Sequence, residues 1–266
     1  MAKILLTIDC EEWNSPFLRG KKDPDHNTTF FSRLGNEKLL ALFRKHNIKA
    51  TFFITGVYAE REREDVQRIA SEGHEIACHG YEHHYRGRVF DIAADVRQGK
   101  KVLEKITGQK VLGFRAPQAQ YSEDLLRILD KAGFEYDSSL HPAFLPGYYN
   151  YSSMPLQVHS PISGLKIREV PVAVMPGIRL PIVWMFMRLL GARYTQLGVN
   201  GLVKKGINPI LYFHSWEFTS MNSKLVPFYF TWRTGDQFVN MLEKFIVLNK
   251  KKGREFVTIK ESFGRD

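Results

Sequence analysis

Short apolar runs alternate along the chain with longer stretches in which apolar residues return every three or four positions. Runs of four to eight apolar residues bounded by turn signals read as buried strands, and the periodic stretches read as helices with one buried face. Strands are predicted at 3–9, 50–55, 75–79, 111–115, 134–138, 166–172, 210–215 and 255–259. Helices are predicted at 36–46, 62–72, 90–107, 123–132, 182–191, 194–205 and 236–249. The last is the clearest, with Phe238, Met241, Leu242, Phe245 and Leu248 on one face. Gly73, Gly108 and Gly133 follow predicted helices where a left-handed residue closes the final turn, and Ser122 is placed as an N-cap. Residues 140–165 read as loop.

Alternating units with apolar strands predict a parallel sheet covered by helices. Seven or eight such units closing on themselves give an α/β fold of the distorted (β/α)7–8 barrel kind, taking in residues 1–266 as one catalytic domain. In a barrel the chemistry gathers at the C-terminal strand ends. That rule tests each motif.

Four strand ends carry polar groups. The first runs into Asp9-Cys10-Glu11-Glu12-Trp13, three acids in four residues, which need a cation nearby or else form a solvated acidic turn. The third runs into His79-Gly80-Tyr81-Glu82-His83-His84. His79 and His83, four apart, share a face on a helical turn and with one carboxylate suit a divalent ion. The fourth leads into Phe114-Arg115-Ala116-Pro117, where an arginine can pair with a buried carboxylate. The strand at 210–215 ends in Phe213-His214-Ser215-Trp216.

Taken together these motifs resemble the polysaccharide deacetylase family, the chitooligosaccharide deacetylase homology domain, over roughly residues 3–217. Thr7-Ile8-Asp9 and its acids resemble the first motif, His79-x-x-x-His83 the metal-binding second, Phe114-Arg115-Ala116-Pro117 the third and Phe213-His214 the last. Phe134-Glu135-Tyr136-Asp137-Ser138-Ser139 fits the family's continuation. The resemblance implies a metal-dependent hydrolase that removes an acetyl group from a sugar of a glycan. Asp9 would be the general base, His79 and His83 metal ligands, Arg115 the group that holds Asp9, and His214 the general acid. The commonest family pattern has two adjacent aspartates, whereas here Cys10 follows Asp9. Strand alternation puts Asp9 and Glu11 on one side and Cys10 on the other, so Glu11 is assigned as third ligand with the Cys10 thiolate as the alternative. The implied cofactor is a divalent metal, zinc foremost. Trp13, Pro117 and Trp216 are placed against the substrate. Aromatics of the loops 14–34, 140–165 and 216–233, among them Phe17, Tyr148, Tyr149 and Trp232, are further candidates to stack on sugar rings.

Composition narrows the partners. The chain has 266 residues, is 44% hydrophobic and 25% charged, and carries a formal net charge of +10. That charge favours anionic partners, but no nucleic-acid motif accompanies it. From 160 to 210 there are seven basic residues and one acid around the most apolar run, 180–190. That mixture suits a buried helix with solvated flanks, or a peripheral contact with an anionic membrane. Two cysteines imply no disulfide framework, and the first residues are too short an apolar run for a signal core, so a cytoplasmic location is expected, with the inner membrane face as the place of any peripheral contact. Three rival readings stand beside the glycan deacetylase: a deacylase or deformylase of a lipid-linked sugar, a metal-independent hydrolase of small cyclic amides, and a carbohydrate-binding protein without catalysis.

Overall fold

The computed structural model describes residues 2–22, 28–84, 88–147 and 149–264. Its strands are β1 (Lys3–Cys10), β2 (Thr51–Ile54), β3 (Glu75–Cys78), β4 (Gly113–Phe114), β5 (Tyr136–Asp137), the hairpin β6 (Phe144–Leu145) and β7 (Tyr149–Asn150), β8 (Arg168–Glu169), β9 (Ile210–His214) and β10 (Glu255–Phe256). The parallel sheet runs β8–β5–β4–β3–β2–β1, and the far edge of β1 is shared by β10 along Lys3–Ile4 and β9 along Leu5–Asp9. Beyond β8 the Ala173 amide donates to the Ile210 carbonyl at 2.8 Å, so the sheet curls into the expected distorted barrel.

Alternation along the strands divides the apolar residues between two layers. Leu5, Phe53, Ala77, Tyr136, Val170 and Ile210 fill the barrel interior. Ile4, Leu6, Ile8, Cys10, Phe52, Ile54 and Cys78 face outward under the helices. These helices are α1 (Phe30–His46), α2 (Gly56–Arg61), α3 (Arg63–Ser71), α4 (Ile92–Thr107), α5 (Glu123–Lys131), α6 (Trp184–Leu190), α7 (Ala192–Lys204), α8 (Phe228–Thr231), α9 (Asp236–Lys251) and α10 (Ile259–Ser262). Burial on both faces explains why the strands read as continuous apolar runs.

Several expectations shift at their edges. The helix placed at 62–72 is preceded by the separate α2, capped by Thr55, whose side chain accepts from the Tyr58 amide. The strand placed at 255–259 ends at Phe256, because Thr258 and Glu261 form a capping box that starts α10. Ile259 then plugs the lower end of the barrel, its amide donating to Thr51 Oγ1 at 2.9 Å. Only Arg168–Glu169 of 166–172 joins the ladder, since the Val172 and Ala173 amides turn to the carbonyls of Leu140 and Ile210. In the apolar run at 180–190, Ile182, Val183 and Met187 are core residues while Leu180 and Leu190 are exposed. No helix among the described residues is long and apolar enough to cross a membrane.

Candidate active site

The strands β1, β3, β4 and β9 end at one rim, and the four motifs meet there. Asp9 and His214 are direct register partners on β1 and β9. Beside them opens a cavity of about 430 Å³, floored by Asp9, Glu11, His79, His83, Arg115 and His214.

Glu11, His79 and His83 form the first cluster. His79 Nε2 and His83 Nε2 lie 3.3 and 2.9 Å from Glu11 Oε2. That oxygen is buried and has no hydrogen-bond partner, so the three groups converge without satisfying one another. Their ligand atoms all lie within 4.8 Å of each other, as a shared cation requires. Both rings are aimed from behind: His79 Nδ1 donates to the Arg115 carbonyl at 2.7 Å, and the Asn14 side-chain amide meets His83 Nδ1 at 3.1 Å. The histidine spacing does not act through a helical turn. Gly80 takes φ +80°, and the loop is held by Asp95, whose carboxylate accepts from the Tyr81 and Glu82 amides at 3.0 and 3.1 Å. His84, next to His83, turns away to Asp95 at 2.9 Å. Burial opposes charge on Glu11, but His83 and His79 outweigh it and hold the carboxyl well below its usual range.

Cys10 lies on the opposite face of β1, as alternation demands. It is buried in the outer layer, its Sγ accepts from Asn36 Nδ2 at 3.2 Å, and burial pushes the thiol up. The cysteine therefore lies outside the cluster that Glu11, His79 and His83 form. Glu12 also points elsewhere, accepting from Thr55 Oγ1 at 2.8 Å.

Asp9 and Arg115 form the second cluster. Arg115 Nη1 donates to Asp9 Oδ1 at 2.7 Å and to Thr7 Oγ1 at 2.8 Å, while Nε and Nη2 are taken by the carbonyl and hydroxyl of Ser138. The guanidinium lies 4.1 Å over the Phe53 ring. The other contacts hold the guanidinium, which in turn holds the Asp9 carboxylate.

The third cluster is centred on His214. Its Nδ1 donates to Glu217 Oε1 at 3.0 Å, and its amide donates to the same oxygen at 2.8 Å. Burial disfavours the imidazolium, but Glu217 and then Glu11 and Asp9 outweigh it, so the His214 pKa is raised. Glu217 is in turn paired with Arg188 at 2.8 Å, both side chains fully buried. Arg188 also donates to the carbonyls of Phe230 and Trp232 at 3.2 and 2.6 Å. Sequence reasoning missed both partners. Two signals were present: Glu217 stands three residues after His214, and Arg188 is the lone charge of the apolar run.

Among the substrate-side expectations, Trp216 lines the cavity, stacked on His214 at 4.8 Å, and Nε1 donates to Glu11 Oε1 at 3.3 Å. Trp13 does not line it. The ring sits behind Trp216 at 5.0 Å and is 2% exposed, because β1 has ended and the chain turns its side chain inward. Pro117 is likewise buried, packed toward Gly80, and the neighbouring Gln118 and Ala119 face the cavity instead. The loop aromatics divide as well: Tyr149 lines the cavity, and the exposed Phe17 and Trp232 stand outside it. Tyr148 lies outside the described residues. Further cavity residues without a motif of their own are Trp184, Tyr212 and His141, the last hydrogen-bonded to the Tyr149 hydroxyl at 2.8 Å. Burial and then Arg115 push its pKa down to about 3.

Known proteins bear on this geometry. Residues 29–136 match the family described as polysaccharide deacetylase, and residues 138–264 match one described as a domain of unknown function, DUF3473. The barrel sheet runs through both, β8, β9 and β10 lying in the second. A peptidoglycan deacetylase of Helicobacter pylori is 34% identical over 139 residues, 48% of this chain and 46% of that protein. The chain spans about half the length of the curated relatives it matches. In fold, a structure from Mycobacterium smegmatis assigned to the polysaccharide deacetylases superposes with a TM-score of 0.73 at 20% identity, covering 97% of this chain and 87% of that one. An allantoinase superposes with a TM-score of 0.70 at 16% identity, covering 97% and 88%. It is thus residues 29–136, carrying β2, β3 and β4 and the second and third motifs, that match the polysaccharide deacetylase family.

Proposed function

We propose that the protein hydrolyses the acyl amide of an N-acetylated amino sugar in a glycan. The observation that carries this reading is the convergence of Glu11, His79 and His83 around an unpartnered carboxylate oxygen, with Asp9 and His214 beside it. The donor set of one carboxylate and two imidazoles fits a divalent cation, zinc above others. When bound there, the cation would polarise the acyl carbonyl and lower the pKa of water.

The chain's own groups then divide the proton traffic. Asp9, aligned by Arg115 at 2.7 Å, takes a proton from the attacking water. Water oxygen bonds to the acyl carbon, and the C–N bond breaks. His214, protonated through its Glu217 contact, gives a proton to the departing amine nitrogen. The products are a carboxylate and a free amino sugar. Trp216 and Tyr212 exclude bulk water from the reacting atoms and offer apolar faces to a sugar ring. Relatives carry names that fit, among them peptidoglycan deacetylases, one from Bacillus subtilis described as acting on N-acetylmuramic acid.

The test is acetate release from N-acetylglucosamine oligomers and peptidoglycan, with zinc and with chelator. Zinc-dependent release that disappears in Glu11→Gln and falls about 10²–10⁴-fold in Asp9→Asn supports the reading. Folded, zinc-loaded protein that releases nothing refutes it. Release untouched by chelator would favour the metal-independent reading instead.

A further inference from the structure

The wall of the cavity shows what shape of substrate can reach its floor. Six loop segments surround the barrel mouth, and each is joined to the next. The loop after β1 meets the loop after β3 where Asn14 Nδ2 donates to the His83 carbonyl at 3.4 Å. That loop meets the one after β4 where Gln120 Nε2 donates to the His84 carbonyl at 3.3 Å. The loop after β4 is tied to the segment following the β6–β7 hairpin, Tyr151 donating its hydroxyl to the Tyr121 carbonyl at 3.3 Å. Arg179 Nη1 carries the chain of contacts onward to the Met154 carbonyl at 2.9 Å, joining the hairpin region to the turn that leads into α6. Trp184 on α6 meets Phe230 edge to face at 5.7 Å. The Arg19 guanidinium lies 4.2 Å over the same Phe230 ring and returns the circuit to the loop after β1.

A glycan bound by an internal unit must cross the reaction centre, entering on one side and leaving on the opposite one. Here Tyr149, Trp184, Tyr229 and Phe230 line the cavity, with Trp184 edge to face against His214 at 5.0 Å and against Phe230 at 5.7 Å. The wall is also anchored from behind, by Arg188 at the Phe230 and Trp232 carbonyls and by the His141–Tyr149 bond. A cavity of about 430 Å³ is of the size that encloses a small ligand rather than a length of polymer.

From this circuit we infer that the site receives the acylated unit end-on, as the terminal sugar of a glycan or as a small glycoside. The inference rests on the hydrolase reading above. It separates this chain from an enzyme that works along the middle of a polymer.

The experiment uses the full, zinc-loaded chain with an N-acetylglucosamine tetramer carrying an oxygen-18 label at its reducing end. Fragment masses then report which unit has lost its acetyl group. The expected result is loss confined to one terminal unit, with an excess over internal units of about tenfold or more, the discrimination a misfitting pocket supplies. Acetyl loss from the two internal units at comparable rates overturns the inference and leaves the hydrolase reading standing. No loss from the tetramer, with none from the shorter oligomers, a methyl glycoside or peptidoglycan, refutes the hydrolase reading and the inference with it.

Discussion

Arg188 is the most informative residue to perturb, because a buried charge outside the motifs supports the candidate acid. Its guanidinium is fully buried between Glu217, at 2.8 Å, and the carbonyls of Phe230 and Trp232. Arg188→Met keeps the volume of the stem but leaves Glu217 buried with only the His214 contacts. Breaking such a pair costs about 3–5 kcal/mol. Glu217→Gln strands Arg188 instead, at a similar cost. In a chain of this size about 2–4 °C are lost per kcal/mol, so each single substitution should lower Tm by roughly 6–20 °C. The double variant leaves neither charge unpaired, and its loss should fall short of the summed losses by about 2–3 kcal/mol. Urea denaturation of the four proteins at one pH measures this coupling. Single losses under about 1 kcal/mol, the range of exposed pairs, would refute the reasoning. So would additivity within about 0.5 kcal/mol.

Three shorter predictions follow from other contacts. Asp95→Asn loosens the loop that carries His83 and should weaken zinc binding about 10–100-fold, read by competition with a chromophoric chelator; unchanged affinity counts against the clamp. The His214 pKa is raised from 6.5, so the protonated acid persists above that value and kcat/KM should fall only on the alkaline side of it. Glu217→Gln removes the largest favourable contribution and should move that limb to lower pH. Asp137 and Glu169 are fully buried neighbours, and burial followed by the Asp137 charge raises the Glu169 pKa well above 4.5. The stability this proton provides is complete below pH 4.5 and is lost as pH rises toward the folded-state value. Glu169→Gln should therefore gain in Tm relative to the unsubstituted protein as pH rises from 5 to 9, and a gap independent of pH would contradict the assignment.

How much of this was legible beforehand depends on whether a feature is local. β1, β2, β3 and β9 were visible because residues buried on both faces leave continuous apolar runs. Asp9, Glu11, His79, Arg115 and His214 were visible because each sits at or just beyond a strand end, where the fold leaves polar groups free to act. Alternation alone separated Glu11 from Cys10. The failures are of another kind. His83 was placed for the wrong reason, since Gly80 and Asp95 bend the loop and no helical turn is present. Trp13 and Pro117 were placed against the substrate, yet the direction of a side chain past the end of a strand is set by packing. The walls from the hairpin, α6 and α8 belong to 140–233, where short elements and turns leave little periodicity. Arg188 was counted there only among seven basic residues, and it is one of the most buried residues.

Charge accounting explains why one of the three clusters, and not the others, calls for a cation. Asp9 is neutralised by Arg115 at 2.7 Å, and the guanidinium's remaining donors are used. Glu217 is neutralised by Arg188 at 2.8 Å and spends its other oxygen on His214. Glu11 has no such partner among the described residues. Its Oε1 receives only the Trp216 N–H at 3.3 Å, and its Oε2 faces two imidazole nitrogens with no hydrogen bond made. An ionised carboxylate buried in that way is costly unless something compensates it. Protonating both histidines would compensate it at the expense of two buried imidazolium groups beside Arg115. A divalent ion compensates it once, with neutral rings as ligands. The ion would leave the Asp9–Arg115 and Glu217–Arg188 pairs as they are, each already balanced. The arrangement of acids around the rim is thus coherent with a cation at Glu11, which is why Glu11→Gln is the substitution on which the proposed chemistry turns.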